Sequence, residues 1–245
     1  MTTTLCIDIG GSGLKAALCS LDGTMISERV KVKTPYPCPP ERLVSSLLNL
    51  VQDLGDYDRV SVGFPGLVRN GVVSNIPSLS RRSYAGETDP KLVERWHGFD
   101  LQQALQEAFD KPLRLANDAD VQGAAVVEGH GFEFVMTLGT GIGTAVFQDG
   151  KLIPHLELSH ALYRTDTDFD AAIGNSARKE IGNDRWVTRV LKAIAIFDAF
   201  LFFDQCHIGG GNAVRLAEVD LPPRCRLVSN TAGLLGGVRL WEHTN

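Results

Sequence analysis

Asn117 and Asp118 close a short apolar run, and a carboxylate in that place can take the proton from a hydroxyl as the hydroxyl attacks an electrophile. An Asn-Asp pair also makes Asx-turns that cap a following helix, so these two residues alone leave both readings open. Glu157 and His160, three apart in HLELSH, can reach one ligand together, and a carboxylate beside an imidazole suits vicinal hydroxyls. A metal reading is weaker, because His155 is the one extra donor nearby and no cysteine joins it; a plain surface pair is the remaining alternative. Two turns dense in glycine offer something different. Gly10, Gly11 and Gly13, then Gly139, Gly141 and Gly143, present backbone N–H groups with no Cβ in the way, which suits a bound anion. Neither is a Walker loop or a dinucleotide fingerprint opening a helix. A third run, Gly209, Gly210 and Gly211, follows a strand-like stretch and places further backbone donors at a sheet's carboxyl edge.

These residues need scaffolding, and the chain announces it by repetition. LCIDIGGSGLKAALCSLDG at residues 5–23 and FVMTLGTGIGTAVFQDG at residues 134–150 each read as apolar strand, glycine turn, apolar strand and Asp-Gly turn. One hairpin used twice predicts two related lobes. After the first copy the pattern predicts a strand over 30–33, a proline-rich connection, a helix over 41–54 with Leu43, Leu47, Leu50 and Leu54 on one face, and a strand over 59–64 ending in Pro65-Gly66. Asp100 with Gln103 three residues on predicts a helix start, and Leu101, Leu105, Ala108 and Phe109 supply its apolar face. A strand over 112–116 delivers Asn117-Asp118, and a helix follows over 121–127. Residues 78–95 are polar and weakly periodic, which predicts a surface excursion. Trp186, Val190, Ile194 and Phe197 space a long helix leading into a strand over 205–208; a strand over 226–228 and a small-residue helix in SNTAGLLGGVRLW close the chain. The expected organisation is two α/β lobes, residues 1–115 and 116–231, with a helix at 232–245 returning to the first.

Composition sets limits. The 245 residues, 44% hydrophobic and 22% charged, suit one large or two modest globular domains and an enzyme. A net charge of −5, with basic residues scattered apart from Arg81-Arg82, argues against an extended nucleic-acid footprint. The most apolar stretch, residues 193–203, is interrupted by Asp198 and is far short of a membrane span. The first residues enter a strand at once, without a basic and apolar leader, which predicts cytoplasmic residence. Cys6, Cys19, Cys38, Cys206 and Cys225 lack C-x-x-C spacing and read as small hydrophobes, with neither zinc nor disulfides expected.

DIGGSG (8–13), FPG (64–66), NDAD (117–120), LGTGIG (138–143), IGGG (208–211) and NTAG (230–233) occur in that order. On these motifs the chain resembles the ROK-family sugar kinases, in the branch of the polyphosphate glucokinases. The resemblance implies a two-lobed actin- and hexokinase-like fold, a duplicated RNase H-like unit around a central cleft, usually as a homodimer. It implies Mg²⁺-dependent transfer from polyphosphate or ATP to a hexose, with glucose giving glucose 6-phosphate as the expected reaction. Asp118 is then the catalytic base, and Pro65, Gly66, Asn117, Glu157 and His160 contact the sugar. Asp8 lies near Mg²⁺ and the transferring phosphoryl. Gly10, Gly11, Ser12 and Gly13, with Gly139, Thr140, Gly141 and Gly143, cradle phosphates; Lys15 adds charge or is a plain strand-edge lysine. Gly209, Gly210 and Gly211 face adenosine if ATP is the donor.

Three departures from the family pattern stand out. Ser159 replaces the glycine of Glu-x-Gly-His. The cysteine motif for structural zinc is absent, as in the polyphosphate branch. The second sugar-binding glutamate is best matched by Asp170 in FDAAIG, one methylene shorter. The alternatives are a sugar-sensing protein of the same family, although a first strand at residue 5 leaves no room ahead of it for the DNA-binding module such regulators carry, and another small-molecule kinase of the same superfold.

Overall fold

A computed structural model describes residues 2–229 and 233–243. The chain forms two units, the first from the residues before Val126 together with those from Gly233 onward, the second from those between. In the first, β1 (Thr4–Ile9) turns through glycines into β2 (Gly13–Cys19), antiparallel, with Asp8 opposite Lys15. Strand β3 (Val30–Lys33) pairs with β2, and α1 (Pro40–Val51) buries Leu43 and Leu47 of the predicted face together with Val51, while Leu50 is only partly buried. Strand β4 (Arg59–Phe64) lies parallel to β1. A small hairpin, β5 (Leu67–Arg69) and β6 (Val72–Asn75), turns at Asn70-Gly71, both at positive φ as such turns require.

The expected surface excursion contains a helix, α2 (Pro90–Trp96), started by the Asp89 side chain accepting from Lys91 N at 3.0 Å. Its Trp96 is buried and donates Nε1–H to Cys38 O at 2.9 Å, which anchors the segment. Next come α3 (Leu101–Phe109), capped by Asp100 accepting from Gln103 N at 2.9 Å, then β7 (Leu113–Asn117) parallel to β4, then α4 (Asp118–Ala124). The first unit runs past the expected boundary at residue 115 because β7 completes its sheet and α4 packs on β4 and β7.

The second unit repeats the plan. Its elements are β8 (Phe132–Leu138), β9 (Ile142–Gln148), β10 (Lys151–Leu152), a short β11 (Leu162–Arg164) and β12 (Thr167–Asp168) pair, α5 (Phe169–Ile173), α6 (Asn175–Ile181), α7 (Asn183–Leu201), β13 (Gln205–Gly209) and β14 (Cys225–Leu227). The strand orders are β3-β2-β1-β4-β7 and β10-β9-β8-β13-β14. In each sheet the first three strands are antiparallel and the last two join in parallel. The duplicated hairpin is therefore the visible part of a duplicated sheet. Phe134, Phe169, Phe197 and Phe203 fill the second core, with Phe169 stacked on Phe197 at 4.4 Å between ring centroids.

The last helix, α8 (Gly233–His243), returns to the first unit and packs on β1 and α4. Of the NTAG motif, residues 230–232 lie outside the described residues. Trp241 fastens the helix: its Nε1–H donates to Ser61 Oγ at 2.8 Å, and the Arg59 and Arg114 guanidinium groups lie over its ring at 4.8 and 4.6 Å. Ser61 in turn donates to Gly237 O at 2.6 Å, and Arg114 donates to Leu240 O at 2.9 Å, supplying a partner for a carbonyl near the helix end. Among the described residues no helix is long and apolar enough to cross a membrane, and all five cysteines are free thiols.

One buried polar cluster is expected to make the fold pH-sensitive. Glu133, fully buried at the start of β8, accepts from Glu128 N at 2.8 Å, Gly129 N at 2.7 Å and His207 Nε2 at 2.7 Å. Arg226 donates Nε–H to His207 Nδ1 at 3.0 Å, and Arg226 also pairs with Glu128. Because Arg can only donate, His207 must accept at Nδ1 and carry its proton at Nε2, the neutral tautomer. Burial holds its pKa below the ordinary imidazole range, with the Arg226 charge pressing the same way against the pull of Glu133. Burial pushes Glu133 up, but its backbone donors and His207 together hold it low. The unfolded chain therefore binds a proton at His207 before the folded one does. This stability is complete above the unfolded value of about 6.5 and falls as pH drops through it, by at most ~1.4 kcal/mol per pH unit for one proton; Glu133 adds to the loss at lower pH. Thermal unfolding should show Tm declining from about pH 6.5 to pH 5, with a shallower decline in His207→Gln; equal slopes would remove His207 as the cause.

Candidate functional site

Strand register collects the first unit's candidates at one sheet edge. Asp8 aligns with Gly63 across β1 and β4, and Phe64 with Asn117 across β4 and β7, so Asp8, Pro65-Gly66 and Asn117-Asp118 all leave the carboxyl ends of neighbouring strands. Asn117 is the helix cap: its Oδ1 accepts from Ala119 N at 2.8 Å, while its Nδ2 donates to Gly66 O at 3.1 Å. The capping reading thus attaches to Asn117. Asp118 follows as the first helical residue, half-buried, with Oδ1 accepting from Ala119 N at 2.9 Å. The helix starts three residues ahead of the expected 121 because this cap supplies its start. Lys15 Nζ lies 2.8 Å from Asp8 Oδ2, so the lysine's charge is directed to that carboxylate, and both remain half-exposed.

The glycine turns have a specific chemistry, seen by following their carbonyls. In the first, Gly10 O accepts from Thr34 Oγ1 at 2.6 Å, Gly11 O from Tyr36 Oη at 2.7 Å, Ser12 O from Thr34 N at 3.4 Å and Gly13 O from Gly10 N at 3.0 Å. In the second, Gly139 O accepts from Asn212 Nδ2 at 3.0 Å, Thr140 O from Asn175 N at 3.0 Å and Gly141 O from Gly139 N at 2.9 Å. Every turn carbonyl faces a protein donor. Among the described residues no acceptor pairs with the N–H groups of Gly11, Ser12, Thr140 or Gly141. Two turns with carbonyls tied back and amides left over are shaped for an anion.

Asp170 belongs to the second of these turns. Its Oδ1 accepts from Ile142 N at 2.7 Å, and a Cβ on Gly141 would stand 2.4 Å from that oxygen, so only glycine lets the carboxylate approach. Gly209 aligns with Thr137 across β13 and β8, and Asn212 N donates to Leu138 O at 2.9 Å, which sets the third glycine run beside the second.

Glu157 and His160 sit on a single helical turn that Thr144 Oγ1 ties to β9 by donating to Leu156 O at 3.0 Å. Ser159, in the family's glycine position, donates to Glu157 Oε1 at 2.9 Å; His155 Nε2 lies 3.5 Å from Oε2, at the outer limit of a hydrogen bond. The His155 contact holds the Glu157 carboxyl below its ordinary range against the upward push of burial, with Ser159 assisting. Glu157 is thereby fixed as a charged acceptor, while His160 is exposed. The residues that sequence reading missed, Thr34, Tyr36, Asn175 and Asn212, all bond backbone carbonyls of the turns or, for Asn175, offer a backbone N–H.

Residues 4–156 match the ROK family. The polyphosphate glucokinase of Mycobacterium tuberculosis is 27% identical over 245 residues, covering 94% of this chain and 88% of its own. An N-acetylmannosamine kinase of Escherichia coli is 35% identical over 156 residues, covering 62% of this chain and 49% of its own. Among solved structures, the inorganic polyphosphate/ATP-glucomannokinase of Arthrobacter sp. strain KM superposes with a TM-score of 0.78 at 28% identity, covering 99% of this chain and 100% of that one. The architecture is accordingly the actin- and hexokinase-like one of these sugar kinases. A matched segment that takes in the first glycine turn, Asn117-Asp118 and the second glycine turn leaves one conclusion: the chain belongs to the ROK family.

Proposed function

We propose that the protein is a sugar kinase that transfers a phosphoryl group from polyphosphate or ATP to a hydroxyl of glucose, giving glucose 6-phosphate. The observation that carries this reading is the pair of glycine turns whose carbonyls are tied back and whose amides are left for phosphate oxygens. In the second unit Glu157, held ionised, and His160 take sugar hydroxyls; in the first, Asn117 is tied to Gly66 O next to Asp118. Asp118 accepts the proton as the sugar oxygen bonds to phosphorus; the bond from phosphorus to the donor's bridging oxygen breaks, releasing ADP or a polyphosphate one unit shorter.

Ile142 N holds Asp170 through Oδ1, and Asp170 joins Glu157 and His160 as the sugar contacts of the second unit. Mg²⁺ fits Asp8: this ion takes one or two carboxylates plus phosphate oxygens and water, and Asp8 offers a half-exposed carboxylate at the end of β1. The ion would supply charge neutralisation on the donor phosphates. Gly209, Gly210 and Gly211, next to the second turn, suit the nucleoside end of ATP. The reading carries with it a cytoplasmic homodimer without nucleic-acid or membrane partners, in keeping with the net charge of −5.

Supplied with glucose, Mg²⁺ and long-chain polyphosphate in nucleotide-free buffer, the protein should form glucose 6-phosphate, read by a coupled dehydrogenase. Activity with ATP alone would remove polyphosphate as donor and leave the kinase. No product with either donor across a panel of hexoses would overturn the kinase.

A further inference from the structure

The segment at residues 78–84 has no role in the site described so far, yet it stands against the first glycine turn. A Cβ built on Gly11 would lie 3.3 Å from Ser78 Cβ and 4.0 Å from Tyr84 Cε2. Tyr36 fixes this approach, because its hydroxyl reaches Gly11 O at 2.7 Å and Ser78 O at 2.9 Å and so ties segment and turn to one phenol. Ser78 Oγ is buried and has no hydrogen-bond partner among the described residues. A buried hydroxyl without a partner costs about 1–3 kcal/mol unless a ligand satisfies it.

The neighbouring arginines differ in a telling way. Arg81 and Thr88 form a single isolated antiparallel bridge, and successive side chains of extended backbone face opposite ways. Arg82 is on the exposed side and pairs with Asp89 at 3.0 Å. Arg81 is half-buried, and its Nε–H donates to Pro77 O at 3.3 Å. Among the described residues it has no carboxylate partner, and its remaining guanidinium N–H groups have no acceptor. Its charge is felt at Tyr36: burial raises that phenol's pKa, and Arg81 pulls it down. A cation without a counter-ion and an unsatisfied hydroxyl therefore belong to the segment that stands against the free amides of Gly11 and Ser12.

We propose that residues 78–84 form a wall of the phosphoryl-donor site, with the Arg81 guanidinium and Ser78 Oγ binding oxygens of the phosphate chain held at Gly11 and Ser12. The inference rests on the kinase reading. It deepens it by naming a charged donor contact that lies outside the glycine turns and that the family motifs do not contain. Arg suits the task because its planar fork meets two phosphate oxygens at once.

The test is equilibrium binding of tripolyphosphate by calorimetry, with steady-state KM for polyphosphate, ATP and glucose, in wild type, Arg81→Ala, Arg81→Lys, Arg82→Ala and Gly11→Val. Arg81→Ala should weaken tripolyphosphate binding and raise the donor KM by about 10-fold or more, as loss of a charge-assisted contact implies, with glucose KM unchanged. Arg81→Lys should recover part of the loss, and Arg82→Ala should match wild type. Equal losses for both donors place Arg81 on phosphates that polyphosphate and ATP share; a loss for polyphosphate alone places it further along the chain. Wild-type binding by Arg81→Ala while Gly11→Val loses the ligand overturns the wall and leaves the donor turn standing. Wild-type binding by Gly11→Val as well overturns the turn itself. A rise confined to glucose KM also overturns the proposal, by moving Arg81 to the sugar.

Discussion

Asp118→Asn is expected to lower kcat by at least ~10²-fold while the protein stays folded and still binds glucose. The substitution keeps size and shape, and the structure explains why the helix should survive it. The cap of α4 is Asn117, whose Oδ1 holds Ala119 N at 2.8 Å, so Asp118 is not needed to start the helix. What is lost is a base. An amide cannot accept the proton that the sugar hydroxyl must give up, and a loss in kcat with sugar binding retained separates that role from a positioning one. Calorimetric binding of glucose alongside turnover is the measurement. Turnover at the wild-type rate would sink the assignment.

The largest effect on stability should come from Gly236→Ala, far along the chain from the chemistry. A Cβ there would lie 1.8 Å from Val121 O and 2.8 Å from Val121 C, so the obstacle is the backbone of α4, and a rotamer change cannot relieve it. Helix α8 must retreat or α4 must move. Overpacking of this kind costs about 2–3 kcal/mol, which for a chain of this size lowers Tm by about 5–10 °C. Because α4 opens with Asp118, kcat should fall as well, below the unfolding transition. An unchanged Tm would mean that the two helices are not in contact in solution.

Much of this was legible in the sequence, and the parts that were not share a physical reason. The hairpin echo gave away the duplicated sheet because strand alternation and glycine turns are local signals. Helices α1 and α3 were readable from apolar spacing, and Asp100 from its capping position. Helix α2 was missed within residues 78–95, since seven residues hardly establish a period, although Asp89 followed by Pro90 is a start signal. Helices α5 and α6, at five and seven residues, escaped for the same cause. At the site, Asn117-Asp118 could be picked out by residue type, but the division of labour between them could not, because cap and base use the same chemistry. Tyr36 and Ser78, 42 residues apart, meet through a hydroxyl and a carbonyl, and a carbonyl is present at every position, so no sequence pattern marks the pair. Asp170 shows the reverse: a carboxylate at the expected place whose bond to Ile142 N gives it a partner that the motif did not specify.

The return of α8 to the first unit also fixes an order of events during synthesis. Ser61 and Gly237 are 176 residues apart, so at ordinary translation rates β4 waits about 10–35 s for the helix that covers it. Throughout that interval the sheet face that later meets Val238 stays uncovered, with Cys6 of β1 and Cys19 of β2 on it. The second unit is continuous in sequence and can close its own core while the first is still waiting. A nascent chain of this kind therefore passes through a stage in which the lobe made first is the lobe finished last. Its reduced thiols and bare sheet face are then the surface most in need of a chaperone.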